Sequence, residues 1–133
     1  MIEPKPLIVV VHDNENTLAA LQSLLTTWDY LVVPFRSIPR SLSFIGRNGP
    51  DLVVAQRPAE NAEALAYLEQ IKQLSSSTEG IFLPEIVLES DGGLRKEQAE
   101  EIRRIVERLL TIRVIPEFRK TETRAFKAAS VQA

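Results

Sequence analysis

Polar side chains follow short apolar runs at three places in this sequence. Residues 12–14 read His-Asp-Asn, residues 56 and 57 read Gln-Arg, and residues 89–91 read Glu-Ser-Asp. Carboxylates, amides and an imidazole could bind a hard divalent cation or transfer protons if the fold brings them together. The elements that position the three groups decide which of these chemistries is open to them.

The composition indicates one globular domain and excludes several classes of function. The 133 residues are close to the commonest domain size, and 44% of them are hydrophobic and 26% charged. The net charge of −2 gives no positive field for coating nucleic acid. The sequence has no cysteine and one histidine, which excludes disulfides, thiolate metal sites and multi-histidine sites.

No stretch of the sequence is typical of a membrane span or a secretory signal. The longest purely apolar run, Leu7–Val11, is far shorter than the ~20 residues that cross a bilayer. Residues 1–6 contain an acid and two prolines, and no long apolar core follows a basic stretch there. We therefore expect a cytoplasmic protein.

Five short apolar runs predict five buried strands. They are rich in Val, Ile or Leu and lack strict polar alternation, which is typical of parallel strands covered on both faces. A buried helix segment is the alternative for any one run, although flanking Pro, Gly and Asp residues disfavour it. The runs are Leu7–Val11, Tyr30–Val33, Leu52–Ala55, Ile86–Leu88 and Ile112–Ile115.

Helical periodicity fills the intervals between these runs. Asn14 or Asn16 can cap the first helix, and Pro39 suits the first turn of a short second helix that ends near Ile45. A last helix over about 118–130 has only a weak apolar stripe, and we expect residues 1–133 to form a single domain. The other apolar stripes are Leu18, Leu21, Leu25 and Trp28; Leu65, Leu68, Ile71 and Leu74; and Ile102, Ile105, Val106, Leu109 and Leu110.

Strands that alternate with helices predict a parallel sheet with right-handed crossovers. Five strands in 133 residues fit a flavodoxin-like, doubly wound α/β fold with strand order 2-1-3-4-5 and helices on both faces. Ligands bind such sheets outside the carboxyl ends of the strands, beside strands 1 and 3. That edge would collect residues 12–14, 56–57 and 89–91, together with Ile115 at the end of strand 5.

The sequence resembles a response-regulator receiver domain over nearly its whole length. The likeness is most specific over Leu7–Leu25 and Pro50–Gln56. Receivers begin with an apolar strand that ends in two acids and leads into a leucine-rich helix, and here VVHDNE stands at that place. Their third strand commonly reads Pro-Asp, four apolar residues and the phospho-accepting Asp, and here PDLVVAQ stands there. The resemblance implies the fold predicted above and a role in signal transduction.

The residues that carry receiver chemistry are largely replaced. The resemblance places His12 and Asp13 at the acidic pair, Gln56 at the phospho-acceptor, Glu89 at the hydroxyl with Ser90 one place later, and Ile115 at the lysine. A glutamine amide is too poor a nucleophile to accept a phosphoryl group. Isoleucine cannot pair with that group, and an ionised Glu89 would repel it. The resemblance therefore implies a degenerate receiver, or pseudo-receiver, that is not an enzyme.

Metal binding and acid–base chemistry remain alternatives at this edge. Mg²⁺ prefers several carboxylate oxygens, so Asp13 alone is a weak candidate ligand and we expect no cofactor. Asp13, Glu89 and Asp91 could converge on a cation, but we favour an ion pair between Arg57 and one of them. His12 and Asp13 are adjacent, and neighbouring strand residues point to opposite faces, which favours a structural or solvated histidine over a catalytic pair.

The leading functional hypothesis is a receiver-like signalling module that acts by protein–protein contact without phosphorylation. One alternative is an atypical receiver that is phosphorylated on another residue, such as Asp13. The other is a flavodoxin-like protein that binds a nucleotide or a flavin, although the loops lack a glycine-rich phosphate cradle.

The predicted partner surface lies between the fourth and fifth helices. The last helix has few apolar residues to bury, so we expect it to dock marginally or to be completed by another chain. Arginines around an aromatic residue are typical of protein interfaces. We therefore expect a protein partner or a second copy at Arg104, Arg108, Arg113 and Phe126, and no direct contact with nucleic acid or membrane.

Overall fold

The computed structural model describes residues 5–119, and for residues 112–119 it describes the backbone alone. The chain divides into two compact units, Met1–Glu100 and Glu101–Ala133, so the expectation of a single domain stays a prediction. The elements are β1 (Leu7–Val11), α1 (Glu15–Thr27), β2 (Leu31–Phe35), α2 (Ile38–Asn48), β3 (Leu52–Gln56), α3 (Asn61–Leu74), β4 (Glu79–Leu83) and α4 (Lys96–Arg119).

The sheet of the first unit contains four parallel strands in the order β2-β1-β3-β4. The central strands β1 and β3 are almost wholly buried, as their unbroken aliphatic runs predict. The α/β fold and the order of the first four strands are therefore confirmed.

Helices cover this sheet because its strands expose apolar side chains on both faces. Successive side chains of a strand point to opposite faces, so Val9 and Val53 face α2 and α3 while Val10 and Val54 face the other way. The buried residues of α1 are Thr17, Leu18, Leu21 and Leu25. The α2–α3 side of the core contains Val9, Val11, Ile45, Val53, Ala55, Tyr67 and Ile71.

Capping residues mark the start of α1 and both ends of α2. The Asn14 side chain accepts a hydrogen bond from the Thr17 N–H at 3.0 Å and caps α1, as predicted. Ser37 is the N-cap of α2, whose first turn contains Pro39. Gly49 ends α2 with a φ of 53°, a left-handed conformation that favours glycine.

The apolar stripe predicted for α3 is partly wrong. Leu65 and Leu74 are 67% and 46% exposed, whereas Ala64 and Tyr67 are buried. Tyr67 can face the core because its hydroxyl lies 2.7 Å from Ser41 Oγ, which satisfies the polar end of the ring. The small Ala64 beside it allows α3 to approach the sheet, so Leu65 is directed to solvent.

The fourth strand was predicted at Ile86–Leu88, and this position is wrong. β4 is Glu79–Leu83, and its Leu83 pairs in register with Gln56 of β3. Pro84 follows directly, and the partner strand β3 ends at the same level, at Gln56, so the ladder does not continue toward Ile86–Leu88. Leu88 instead forms an isolated antiparallel bridge with Leu94 in the loop that leads to α4.

The fifth strand was predicted at Ile112–Ile115, but these residues lie within α4. Residues 5–119 therefore contain four strands rather than five. Ile102 and Val106 are buried, as the stripe predicted. Neither α4 nor any other helix in the described part of the chain is long and apolar enough to cross a membrane. The last helix was predicted over about 118–130; positions 118 and 119 end α4, and the rest lies outside the described residues.

Candidate functional site

The carboxyl ends of β1, β3 and β4 meet around a cavity of about 600 Å³. This cavity brings together residues 12–14 and residues 56–57, which the sequence placed at one edge of the sheet. The residues that β4 contributes are 83–86 rather than 89–91, because the strand ends earlier than predicted. The lining residues are His12, Asp13, Asn14, Thr17, Gln56, Arg57, Leu83, Pro84, Glu85 and Ile86.

Side chains from neighbouring strands hold the main chain at Asp13. Gln56 Oε1 accepts a hydrogen bond from the Asp13 N–H at 3.0 Å, and Arg36 Nη2 donates to the Asp13 carbonyl oxygen at 3.1 Å. Asp13 is thus linked to the ends of β2 and β3, while its carboxylate stays 75% exposed. Sequence reasoning missed Arg36 because it follows an edge strand and belongs to no motif.

His12 lies beside this network as a largely buried, neutral imidazole. Its side chain is 12% exposed, and Nδ1 accepts a hydrogen bond from the Asn14 N–H at 3.1 Å. An accepting Nδ1 carries no proton, so the proton of the neutral ring is on Nε2. Burial lowers the pKa of His12, and the nearby Asp13 charge opposes this effect without overcoming it. The arrangement supports a structural histidine rather than a catalytic pair.

The single imidazole resonance of the tag-free protein is expected to titrate with a midpoint below 6.5. Because the folded pKa is the lower one, the unfolded chain takes up the proton first as the pH falls through 6.5. The free energy of unfolding should therefore decrease below that pH until folded His12 is itself protonated. Proton NMR of the C2–H signal and urea unfolding at several pH values measure the two effects.

A matched control for this titration is His12→Asn. The asparagine oxygen can accept the Asn14 N–H bond but does not titrate, so the histidine-dependent part of the pH profile should disappear. A C2–H midpoint at or above 6.5 would contradict the buried, neutral state.

The acidic residues of the 89–91 group lie away from this cavity. Glu89 and Asp91 line a separate depression beside α1, and Glu89 N–H donates to the Gly93 carbonyl within a turn. The placement of Glu89, or of Ser90, at the end of strand 4 is therefore wrong. The alternative in which Asp13 converges with the two acids on a cation, which we did not favour, is not seen either, and residues 5–111 contain no group of three metal-ligating side chains.

Arg57 binds neutral partners instead of the acidic residue that we expected. Its Nη2 donates to Asn61 Oδ1 at 2.6 Å, and its guanidinium carbon lies 5.6 Å from the centroid of the Phe82 ring. Both contacts hold the guanidinium over α3 and β4 at the rim of the cavity. The expected ion pair with Asp13, Glu89 or Asp91 is therefore a wrong prediction.

The end of β4 offers no hydroxyl to the cavity. Leu83 is the register partner of Gln56, and Pro84 comes next. Ile115 lies within α4 and not at the end of a strand. The carboxylates among the lining residues are those of Asp13 and Glu85, which gives a hard cation fewer ligands than it prefers.

Comparison with solved structures identifies the architecture. A response regulator from Thermotoga maritima matches with a TM-score of 0.65 and 18% identity, over 80% of this chain and 98% of that one. The signal receiver domain of an HD domain-containing protein from Pseudomonas fluorescens Pf-5 matches with a TM-score of 0.68 and 19% identity, over 90% and 96%. The chain has the fold of a response-regulator receiver domain.

The chain is similar to receiver domains in structure but has low sequence identity to them. The receiver domain of NtrC4 from Aquifex aeolicus matches at 19% identity with a TM-score of 0.56, over 80% of this chain and 93% of that one. No protein-family model matches the sequence, and no curated protein matches it. The likeness to these receivers therefore concerns the fold.

Proposed function

We propose that the protein is a cytoplasmic signalling module that acts through protein contacts and does not accept a phosphoryl group. Gln56 carries this proposal. It ends β3, at the place that the receiver resemblance assigns to the phospho-acceptor, and its Oε1 is engaged by the Asp13 N–H. A carboxamide is too weak a nucleophile to attack a phosphodonor, so the acyl phosphate that switches a receiver cannot form here.

The neighbours of Gln56 support the same reading. Leu83 and Pro84 at the end of β4 have no side-chain donor for a phosphoryl oxygen. The lining residues include no lysine, and the guanidinium of Arg57 is already bonded to Asn61. We propose that the protein works without Mg²⁺, because Asp13 and Glu85 supply too few carboxylate oxygens.

The links at Asp13 favour one fixed conformation of this edge. Gln56 at the end of β3 and Arg36 just after β2 bind the same residue, and neither contact depends on a bound ligand. A receiver switches because phosphorylation adds charge and hydrogen-bond acceptors at this edge. Without that event, the module would present the same surface to its partner at all times.

We propose α4 as the partner-binding surface. Arg104 and Arg108 lie one turn apart and are both exposed. Arg103 is engaged with Glu107 at 3.1 Å, which leaves the other two arginines as the better candidates for contacts with an acidic partner. The proposed surface also includes Arg113, whose side chain is not among those described, and Phe126, which lies outside the described residues.

Incubation with a small phosphodonor and Mg²⁺ is expected to leave the protein unlabelled in mass spectra. Beryllium fluoride with Mg²⁺ should likewise leave its NMR spectrum unchanged, because Gln56 offers no carboxylate oxygen for beryllium. A receiver with an intact site, treated in parallel, shows that the reagents are active.

The variant Gln56→Asp tests how much of the loss depends on one residue. We expect it to stay without stable label, because the hydroxyl and lysine functions are still missing, and Gln56→Asn is the matched variant that keeps an amide. Robust labelling of the wild type that disappears in Asp13→Asn would replace this proposal with an atypical, phosphorylated receiver. Robust labelling of Gln56→Asp would show that the other replacements matter little.

A further inference from the structure

A second cavity, of about 530 Å³, lies beside the first at the carboxyl ends of the strands. Asp13, Gln56 and Arg57 line both cavities. The first cavity extends to Thr17 of α1, whereas the second extends to residues of α2 and α3. The volume of the second cavity is within the range of about 300–1,000 Å³ that is typical of small-molecule sites.

Four charged side chains of both signs line this second cavity. They are the cations Arg36 and Arg57 and the anions Asp13 and Glu63. The structure describes all four, and no ion pair joins any two of them. Opposite charges that stay apart in one cavity complement a ligand that carries both charges.

The two arginines keep hydrogen-bond donors for such a ligand. A guanidinium has five N–H donors, and the contacts of Arg36 and Arg57 use Nη2 alone. The acceptors are the Asp13 carbonyl and the Asn61 amide, which are neutral and leave the positive charges uncompensated. Arg57 lies over Phe82, which is not a lining residue, so Arg36 is the better anchor for a carboxylate.

Of the two carboxylates, Glu63 is the better partner for a positive group. Asp13 Oδ1 lies 3.7 Å from Nδ1 of His12, which lines the first cavity and not the second. Glu63 is exposed in the first turn of α3. Asp13 adds negative potential at the border between the two cavities, and Glu63 can contact an ammonium group directly.

The rest of the lining is mostly apolar. Val11 is buried, and Ile38 and Pro58 are half-buried. These side chains offer a hydrocarbon group a surface that is shielded from water. The apolar lining residues are Val11, Ile38, Pro39, Pro58 and Ala59.

We propose that the second cavity binds a free amino acid with an aliphatic side chain. Its carboxylate would bind Arg36, its ammonium group would bind Glu63, and its side chain would cover the apolar lining. A dianion would be repelled by Asp13 and Glu63, and an uncharged molecule would take water from the charged groups without replacing it. The site goes beyond the proposed function, because none of its contacts depends on whether Gln56 accepts a phosphoryl group.

Calorimetric titration of the full chain with L-leucine tests the site, and we expect saturable binding of one molecule per chain. N-acetyl-L-leucine lacks the ammonium charge and 3-methylbutylamine lacks the carboxylate, so each should bind about tenfold or more weakly. Equal binding of N-acetyl-L-leucine would replace the proposal with a simple anion site. The phosphodonor experiment is independent of this titration, so a failure of one proposal is distinguishable from a failure of the other.

Amide NMR spectra locate the bound L-leucine. The signals of Ile38 and Ala59 should shift during the titration, whereas those of Gly92 and Gly93, in the depression beside α1, should not. Shifts confined to residues outside the second cavity would overturn the proposal.

Two variants remove one charge each. Arg36→Gln and Glu63→Gln should weaken L-leucine binding about tenfold or more, with unchanged circular dichroism spectra. Arg40→Gln and Glu69→Gln are the matched controls, because both residues are exposed and neither lines the cavity, and they should bind as the wild type does. Since Arg36 also holds Asp13, the exposed Glu63 decides the outcome if Arg36→Gln disturbs the fold.

Two results would overturn the site altogether. One is the absence of saturable binding for every aliphatic amino acid at concentrations up to about 10 mM. The other is binding that Glu63→Gln leaves unchanged.

Discussion

Replacing Tyr67 with alanine is expected to lower the free energy of unfolding by about 3–5 kcal/mol. The side chain is 1% exposed, and its ring centroid lies 6.4 Å from that of Phe82. Removing the ring leaves a cavity between α3 and the sheet that the neighbouring residues cannot fill completely. Urea unfolding followed by circular dichroism measures the loss.

Two variants separate the contributions of the Tyr67 ring and hydroxyl. Tyr67→Phe keeps the ring but removes one partner of Ser41 Oγ, which still donates to the Ile38 carbonyl at 2.7 Å, so the cost should be about 1 kcal/mol. Glu69→Ala, on the exposed side of the same helix, should change stability by less than about 0.5 kcal/mol. A loss below about 1 kcal/mol for Tyr67→Ala would mean that α3 does not pack on the sheet as described.

The second large effect is expected at the amino end of the sheet, where Thr78→Val should cost about 1–3 kcal/mol. Thr78 is fully buried, and its Oγ1 donates to the Pro50 carbonyl at 2.6 Å and is hydrogen-bonded to Ser75 Oγ at 2.7 Å. Valine has nearly the same shape but leaves the buried carbonyl without this donor. The same unfolding measurement applies.

Thr78→Ser is the matched variant, because it keeps the hydroxyl and removes only a methyl group. Its cost should be clearly smaller than that of the valine variant. Equal losses in the two variants would show that the methyl group, and not the hydrogen bond, stabilises the turn before β4.

Sequence patterns predicted the first three strands and α1 because each signal is local. Unbroken aliphatic runs form β1 and β3, and Asn14 marks the start of α1. β4 could not be found in this way, since Glu79–Leu83 includes a charge and a glycine and is weaker than the nearby run Ile86–Leu88. Pairing with β3 decides between the two segments, and a single sequence does not reveal that pairing.

In the candidate site, too, the sequence predicted which residues the strand ends bring together but not the contacts of their side chains. Residues 12–14 directly follow β1, and Gln56 is the last residue of β3. Because the two strands are neighbours, the sheet brings these residues together. The hydrogen bond from Arg36 and the proton position on His12 depend on side-chain geometry that no spacing encodes. The predicted position of Glu89 was wrong because it assumed that strand 4 ends at Leu88, whereas β4 ends at Leu83.

The proline in the edge strand β2 has a consequence for solubility. Growth of a fibril by edge pairing requires two open edges on every molecule, so that each addition leaves a new one. In the described part of this chain, β2 is an edge strand, and its Pro34 has no N–H with which to bond a further strand. The proline therefore acts as a chain terminator that disfavours growth of the sheet at β2.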